Sequence, residues 1–265
     1  DGVFANNLSG AGSVLKTGAG IVDLTGTNTH SGGNVIDAGG IRIFDLAQLG
    51  TGLTTANLGA GLYFNYSGAA PLLLANPFLS GAGSFVKEGG GDLIIDTANT
   101  WTGGTRIVQG RLGINDALAL GTGAVQVDAN GIFNFGQFTF ANDITGTGVV
   151  RKTASGVGSL TGNNSGFSGE VQINDGRLVV ASGNALGTGQ VNIGSGAELL
   201  VSNASTTTLS NTIYGNGSFI KDGAGRLILT GANSITGTLL VNGGELEVAS
   251  GSNIGGAGIS LAGAG

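Results

Sequence analysis

The sequence predicts an all-β fold, a right-handed parallel β-helix of about twelve coils. Three observations carry it: glycines that punctuate, short β-prone runs between them, and an internal repeat of about 68 residues. Of the 265 residues 55 are Gly and 2 are Pro, with no three-residue period, so collagen is excluded and glycine marks turns. Between the glycines stand runs of Leu, Val, Ile, Phe, Thr and Asn, which suit a pleated, half-buried surface. No window sustains apolar residues at helical spacing, and a charged fraction of 10% supplies few helix-supporting ion pairs.

The repeat is read by self-comparison. Gly10-Ala11-Gly12-Ser13-Val14-Leu15-Lys16 returns as Gly81 to Lys87 and as Gly215 to Lys221, and in looser form as Gly146 to Lys152. Each copy continues with Leu-Thr-Gly or its equivalent, then Asn28, Asn99, Asn164 or Asn233, then a glycine turn. A second landmark drifts in step: Leu49-Gly50-Thr51-Gly52, Leu120 to Gly123, Leu186 to Gly189, and Ile254-Gly255-Gly256-Ala257-Gly258. Two landmarks that move together indicate duplication with small insertions in turns. The chain is accordingly read as one β-helix over residues 1–265, with repeats at about 8–78, 79–143, 144–212 and an incomplete 213–265, three coils to each. It opens in mid-pattern at Asp1-Gly2-Val3-Phe4, as expected for a piece of a longer chain.

Period-two alternation assigns faces. Val22 and Leu24 are expected inside and Asp23 outside, Leu227 and Leu229 inside and Arg226 outside. Leu62 and Phe64 should point in and Tyr63 out. The phase is ambiguous at Gly131 to Phe135, where Ile132 and the phenylalanines cannot share a face. The repeated lysines, at 16, 87, 152 and 221, are expected as exposed edge residues that resist sheet growth, each acting alone at three-coil separation.

The pattern G-x-G-x-x-x-K, L-T-G-x-N-T, an aromatic, T-G-G-T and G-x-L-x-V resembles the passenger-associated transport repeat of Gram-negative autotransporters. Its best copy here is Gly81 to Ile114, with Asn99-Thr100-Trp101-Thr102-Gly103-Gly104-Thr105. The resemblance implies a secreted, extracellular passenger at the bacterial surface, exported by a C-terminal β-barrel. It also implies roles as adhesin, self-association factor or stalk, with support of folding during secretion. Partners would be a host surface, a matrix protein, a glycan or another passenger. Copy three departs, with Ala154-Ser155-Gly156 where the others carry a glycine pair.

Chemistry is sparse. Ten Lys+Arg against 16 Asp+Glu, scattered, leave no stripe for nucleic acid, and no run of eighteen apolar residues inserts in a membrane as a helix. Cysteine is absent, so disulfides, thiolate metal sites and thiol nucleophiles are excluded. Gly89-Gly90-Gly91-Asp92 has the wrong interval for a calcium nonapeptide, and no cofactor or metal is expected. The sole histidine, His30, shares a station with Trp101, Phe167 and Ile235 and is read as a packing position. A polysaccharide lyase or glycoside hydrolase is the enzymatic alternative. Its acids would come from Asp92, Asp96, Asp128, Asp143, Asp175 and Asp222, of which Asp92 and Asp96 sit too far apart on one strand for a dyad. The chain is expected not to be an enzyme, with no catalytic residue assigned, and Tyr63 and Trp101 are the candidate surface contacts.

Overall fold

Short β-prone runs bounded by turn glycines cannot bury an apolar face alone, so each must stack on its equivalent one coil away. The computed structural model shows this arrangement. It describes residues 1–248, 250–256 and 258–261. Strands pair in parallel throughout about twelve turns of solenoid, and the described helices are 3-10 turns of three or four residues, such as Leu46–Leu49 and Gly183–Leu186. Ala257 of the fourth second-landmark copy, and residues 262–265 of the last repeat, lie outside the described residues.

Two compact units are distinguished, Asp1–Ile132 and Phe133–Gly265. In the first, one stack runs Gly2–Phe4, Ile21–Leu24, Gly40–Ile43, Gly61–Asn65 and Ser84–Glu88. Another holds Val14–Lys16, Asn34–Ile36, Thr54–Ala56, Leu79–Gly81 and Thr100–Trp101. A third pairs Leu72–Leu74 with Leu93–Ile95 and then with the end of Thr105–Ile114. In the second unit, Val149–Lys152, Glu170–Ile173, Val191–Ile193, Ile213–Gly215 and Ser234–Ile235 form one stack. Val157–Leu160, Arg177–Val180, Glu198–Ser202, Ser218–Asp222 and Thr238–Val241 form a second, and Thr207–Leu209, Arg226–Leu229 and Glu245–Val248 a third.

Register turns alternation into columns. In the first unit Val22, Ile41, Leu62 and Phe85 lie over one another facing in, while Asp23, Arg42, Tyr63, Val86 and Arg106 form the adjacent outward column. Leu24, Leu62 and Phe64 are buried and Tyr63 half-buried, as expected from the alternation. In the second unit Leu178, Leu199, Phe219 and Leu239 make such an inner column, and Leu227 and Leu229 are buried beneath exposed Arg226. Phe133 and Phe135 both face in, which settles that ambiguity in favour of the aromatics. Their rings meet Phe140 at 4.9 and 6.4 Å, edge and offset contacts that add to burial. In the first unit Phe78, Phe85 and Trp101 form a cluster with centroids 5.4–5.8 Å apart.

One expectation about the repeat is corrected. Lys16 pairs with Ile36, Ile36 with Ala56, and the strand above these is Leu79–Gly81, whereas Lys87 lies on the following strand, Ser84–Glu88. In the second unit Lys152 pairs with Ile173, Ile193 and then Gly215, and Lys221 again lies one strand beyond. A repeat therefore spans three coils plus one strand. Within each unit the two lysines lie on neighbouring faces and do not form a column.

Candidate functional site

The largest departure from expectation is the repeated lysine. Lys87, Lys152 and Lys221 are fully buried and Lys16 nearly so. Lys87 belongs to an inward column, between Phe64 and Ile107. Its ammonium donates to the carbonyls of Glu88 at 2.7 Å, Gly89 at 2.6 Å and Gln109 at 3.1 Å. Lys16 does the same to Thr17, Gly18 and Ala38, and Lys221 to Asp222, Gly223 and Gly243. Two acceptors belong to the lysine's own corner and one to the corner of the next coil. The side chain thus straps consecutive coils together where the strand ladder is interrupted.

The corner geometry depends on glycine. Gly18, Gly89 and Gly223 adopt φ of 80°, 74° and 78°, which turns their carbonyls toward the ammonium at no steric cost. Copy three has Ala154 at this place and no positive-φ residue there. Lys152 accordingly bonds two carbonyls, of Ala154 and Asp175. Burial lowers Lys87 to about 8 despite the opposing pull of Asp92 and Glu88, and lowers Lys152 and Lys221 in the same sense. The alternation itself held the signal: Lys87 is two residues from Phe85, and a side chain two along from a core residue points inward.

A second strap is the repeated asparagine. The Asn164 carboxamide accepts from Ile144 N at 2.7 Å, one coil back, and donates to Ala185 O at 2.7 Å, one coil on. Asn28 spans Leu8 and Gln48, Asn99 spans Phe78 and Ala119, and Asn233 spans Ile213 and Asn253. Only a side chain with both donor and acceptor can bridge in both directions, which is why the position is Asn in all four copies.

The histidine station is buried in every copy, at His30, Trp101, Phe167 and Ile235. His30 Nε2 contacts Asn34 Oδ1 at 3.1 Å, and Trp101 Nε1 donates to Thr105 Oγ1 at 3.2 Å, four residues on in both. Over the ring passes the second landmark: Thr51 N donates to His30 O at 2.9 Å and Thr188 N to Phe167 O at 2.8 Å. The packing assignment of His30 agrees with this geometry. Trp101, expected as a surface contact, is corrected: it is 0% exposed, enclosed by Phe78 and Phe85, and cannot meet a partner. Tyr63 does reach the surface, beneath the Arg42 guanidinium at 5.9 Å, and Arg42 bridges Asp23 at 3.2 Å and Glu88 at 2.9 Å.

The acids weighed for catalysis are dispersed. Asp92 pairs with Arg111, Asp96 accepts from Asn115, and Asp143 accepts from the backbone of Asn163. Asp128 pairs with Arg106 at 2.8 Å. Its burial would raise it, but hydrogen bonds from Arg106 and Gln126 outweigh that and hold it low. None of these pairings places two carboxylates about a shared bond, the arrangement most glycoside hydrolases use.

The sequence did not single out a groove of about 580 Å³ on the second unit. It is lined by Thr147, Ser168, Thr188, Ser210, Glu170 and Tyr214, among others. The Tyr214 hydroxyl donates to Glu170 Oε1, and Gln172 Nε2 donates to Glu170 Oε2 at 2.5 Å. The Glu170 bond raises the Tyr214 phenol, so the tyrosine stays neutral. No composition signal marks this groove, because its residues are twenty or so apart and meet only through coil register.

Comparison with known proteins agrees with the repeat. The passenger-associated transport repeat matches at residues 14–43, 85–114, 150–180 and 219–248. Each match covers two strands and their partners one coil on, together with the lysine that straps them. A relative in Brucella suis biovar 1 (strain 1330), named as the adhesin BmaC autotransporter, is 30% identical over 215 residues. The match covers 70% of this chain and 6% of that protein, so the chain spans a small part of its relative's length. No solved structure matches. The chain is a member of the family of autotransporter passengers built from passenger-associated transport repeats.

Proposed function

We propose that the chain is a non-enzymatic segment of a passenger secreted to the bacterial cell surface, where it serves as an adhesin scaffold. It holds an adhesive region away from the outer membrane, offers its own faces for contact with host surfaces or other passengers, and supports folding during export. One observation carries the reading: the polar residues that recur in all four copies, the lysines and asparagines, are buried and spent on joining coils. What these recurrent buried polar residues preserve is architecture. The adhesin named in Brucella suis is consistent with this role.

The competing reading is a β-helix polysaccharide lyase or glycoside hydrolase. It is disfavoured by Asp92, Asp96 and Asp128, which pair with Arg or amide groups instead of facing one another. The test is in-frame deletion of this segment from the full-length passenger displayed on cells, with surface level and adhesion both measured. Reduced adhesion at equal surface level supports the scaffold. Turnover of acidic polysaccharides, read as reducing ends or unsaturated products, overturns the non-enzymatic assignment.

A further inference from the structure

The groove on the second unit is built by coil register from hydroxyl residues of the third repeat copy. Ser168 N donates to Gly146 O at 2.8 Å and Thr188 N to Phe167 O at 2.8 Å, so Thr147, Ser168, Thr188 and Ser210 succeed one another on consecutive coils. All four are exposed. These residues stand in one column with rungs about 4.8 Å apart, and the Thr188 hydroxyl donates to Phe167 O at 3.3 Å. Beside it runs a second column, Glu170, Gln190 and Thr212, set by the pairing of Val171 with Val191 and of Val191 with Ile213. The floor between them is glycine. A Cβ on Gly169 or Gly189 would collide with the backbone of the coil before, so the trough stays open.

Tyr214 stands at one end, half-exposed, with its hydroxyl fixed by Glu170. A fixed tyrosine beside many hydroxyl and amide groups offers a flat apolar face next to dense hydrogen-bonding capacity. That combination matches a sugar ring, which has an apolar face and a polar rim. The charge is equally selective: Glu170 is the only charged residue lining the trough, and it is negative. Sulfated or uronic-acid chains would meet an uncompensated carboxylate there and no Lys or Arg.

We propose that this trough is a binding site for a neutral, extended glycan, with successive sugars crossing successive coils and one ring stacked on Tyr214. A straight column suits β-1,4-linked chains, which extend, better than α-1,4-linked chains, which curl. With a single acid in the trough, the site lacks the pair of carboxylates that most glycoside hydrolases use. The inference rests on the adhesin-scaffold reading and names the chemistry of one of its contacts.

The test is isothermal titration and saturation-transfer NMR of this chain with cellotetraose and chitotetraose. Maltotetraose serves as the curled neutral probe and a heparin-derived tetrasaccharide as the anionic one. The expected result is binding of at least one β-linked probe with Kd on the order of 1 mM, weakened about tenfold by Tyr214→Ala, with maltotetraose and the heparin fragment weaker. Tyr214→Phe, which keeps the ring, should retain most of the affinity, and circular dichroism checks that each variant folds. The proposal is overturned if neither β-linked probe binds, if the heparin fragment or maltotetraose binds more tightly, or if Tyr214→Ala leaves affinity unchanged. Adhesion that depends on the segment but survives Tyr214→Ala, with no saccharide bound, would overturn the glycan site alone and leave the scaffold reading standing.

Discussion

Replacing Lys87 with Met keeps the aliphatic stem and removes the ammonium. The three bonds lost, to Glu88, Gly89 and Gln109 carbonyls, involve a charged donor and contribute about 1.5–3 kcal/mol each, while burying the ammonium costs several kcal/mol in the other direction. With three carbonyls left short of a donor, the net expected loss is about 3 kcal/mol. The same change at Lys152, which bonds two carbonyls, should cost about 2 kcal/mol. Urea midpoints measure both, with hydrogen exchange at Gln109 and Arg111 reporting whether the corner of the next coil loosens. The pH dependence has a definite sign. Lys87 in the folded chain lies at about 8 and in the unfolded chain near 10.5, so the unfolded state binds more protons between those values. Stability from this group therefore rises with pH across that window and is lost as pH falls through 8. The advantage of wild type over Lys87→Met should widen from pH 7.5 to pH 10. A Lys87→Met midpoint within about 0.5 kcal/mol of wild type would refute the strap, and an advantage that narrows with pH would refute the lowering of Lys87 by burial.

Three further outcomes follow from the corners. Gly121→Ala, at φ 62° and with its Cβ driven onto the Trp101 carbonyl, should cost about 3 kcal/mol, against about 1 kcal/mol for Gly59→Ala, where φ is 82° but the space is open; thermal or urea unfolding compares them. Asn164→Ala leaves Ile144 N and Ala185 O unpaired and should cost about 2–4 kcal/mol, while the exposed neighbour change Asn163→Ala should stay within about 0.5 kcal/mol, read from the same unfolding curves. His30→Phe places the residue type of copy three at the buried station. It removes a ring nitrogen, Nδ1, that has no partner, so stability should change by less than about 1 kcal/mol, and a larger loss would show that the Asn34 contact matters more than packing.

The fold was legible because coil periodicity and strand alternation are local. Val22, Leu24, Leu227 and Leu229 could be turned inward from their own neighbours, and the glycine landmarks located turns that the structure places at positive φ. Lys87 was misjudged because charge was weighed ahead of alternation. Its inward position was readable from Phe85, but the three carbonyls that receive it are set by corner geometry and by the next coil. Trp101 failed as a surface residue for a related reason: its cage of Phe78 and Phe85 comes from the coil before. The coil count per repeat failed because residue spacing alone does not reveal that a repeat steps to the next face. Glu170 and Tyr214 are forty-four residues apart, and only two coils of register bring them together.

The central claim is that the recurrent buried lysines and asparagines hold the coils together while exposed residues make contacts. The most direct measurement displays the full-length passenger on cells and scores, for each variant, the folded amount by protease resistance and adhesion per folded passenger. Substitutions at Lys16, Lys87, Lys152 and Lys221, and at Asn28, Asn99, Asn164 and Asn233, should lower the folded amount and leave adhesion per folded passenger unchanged. Adhesion per folded passenger that falls with these buried residues, at undiminished protease resistance, would contradict the account.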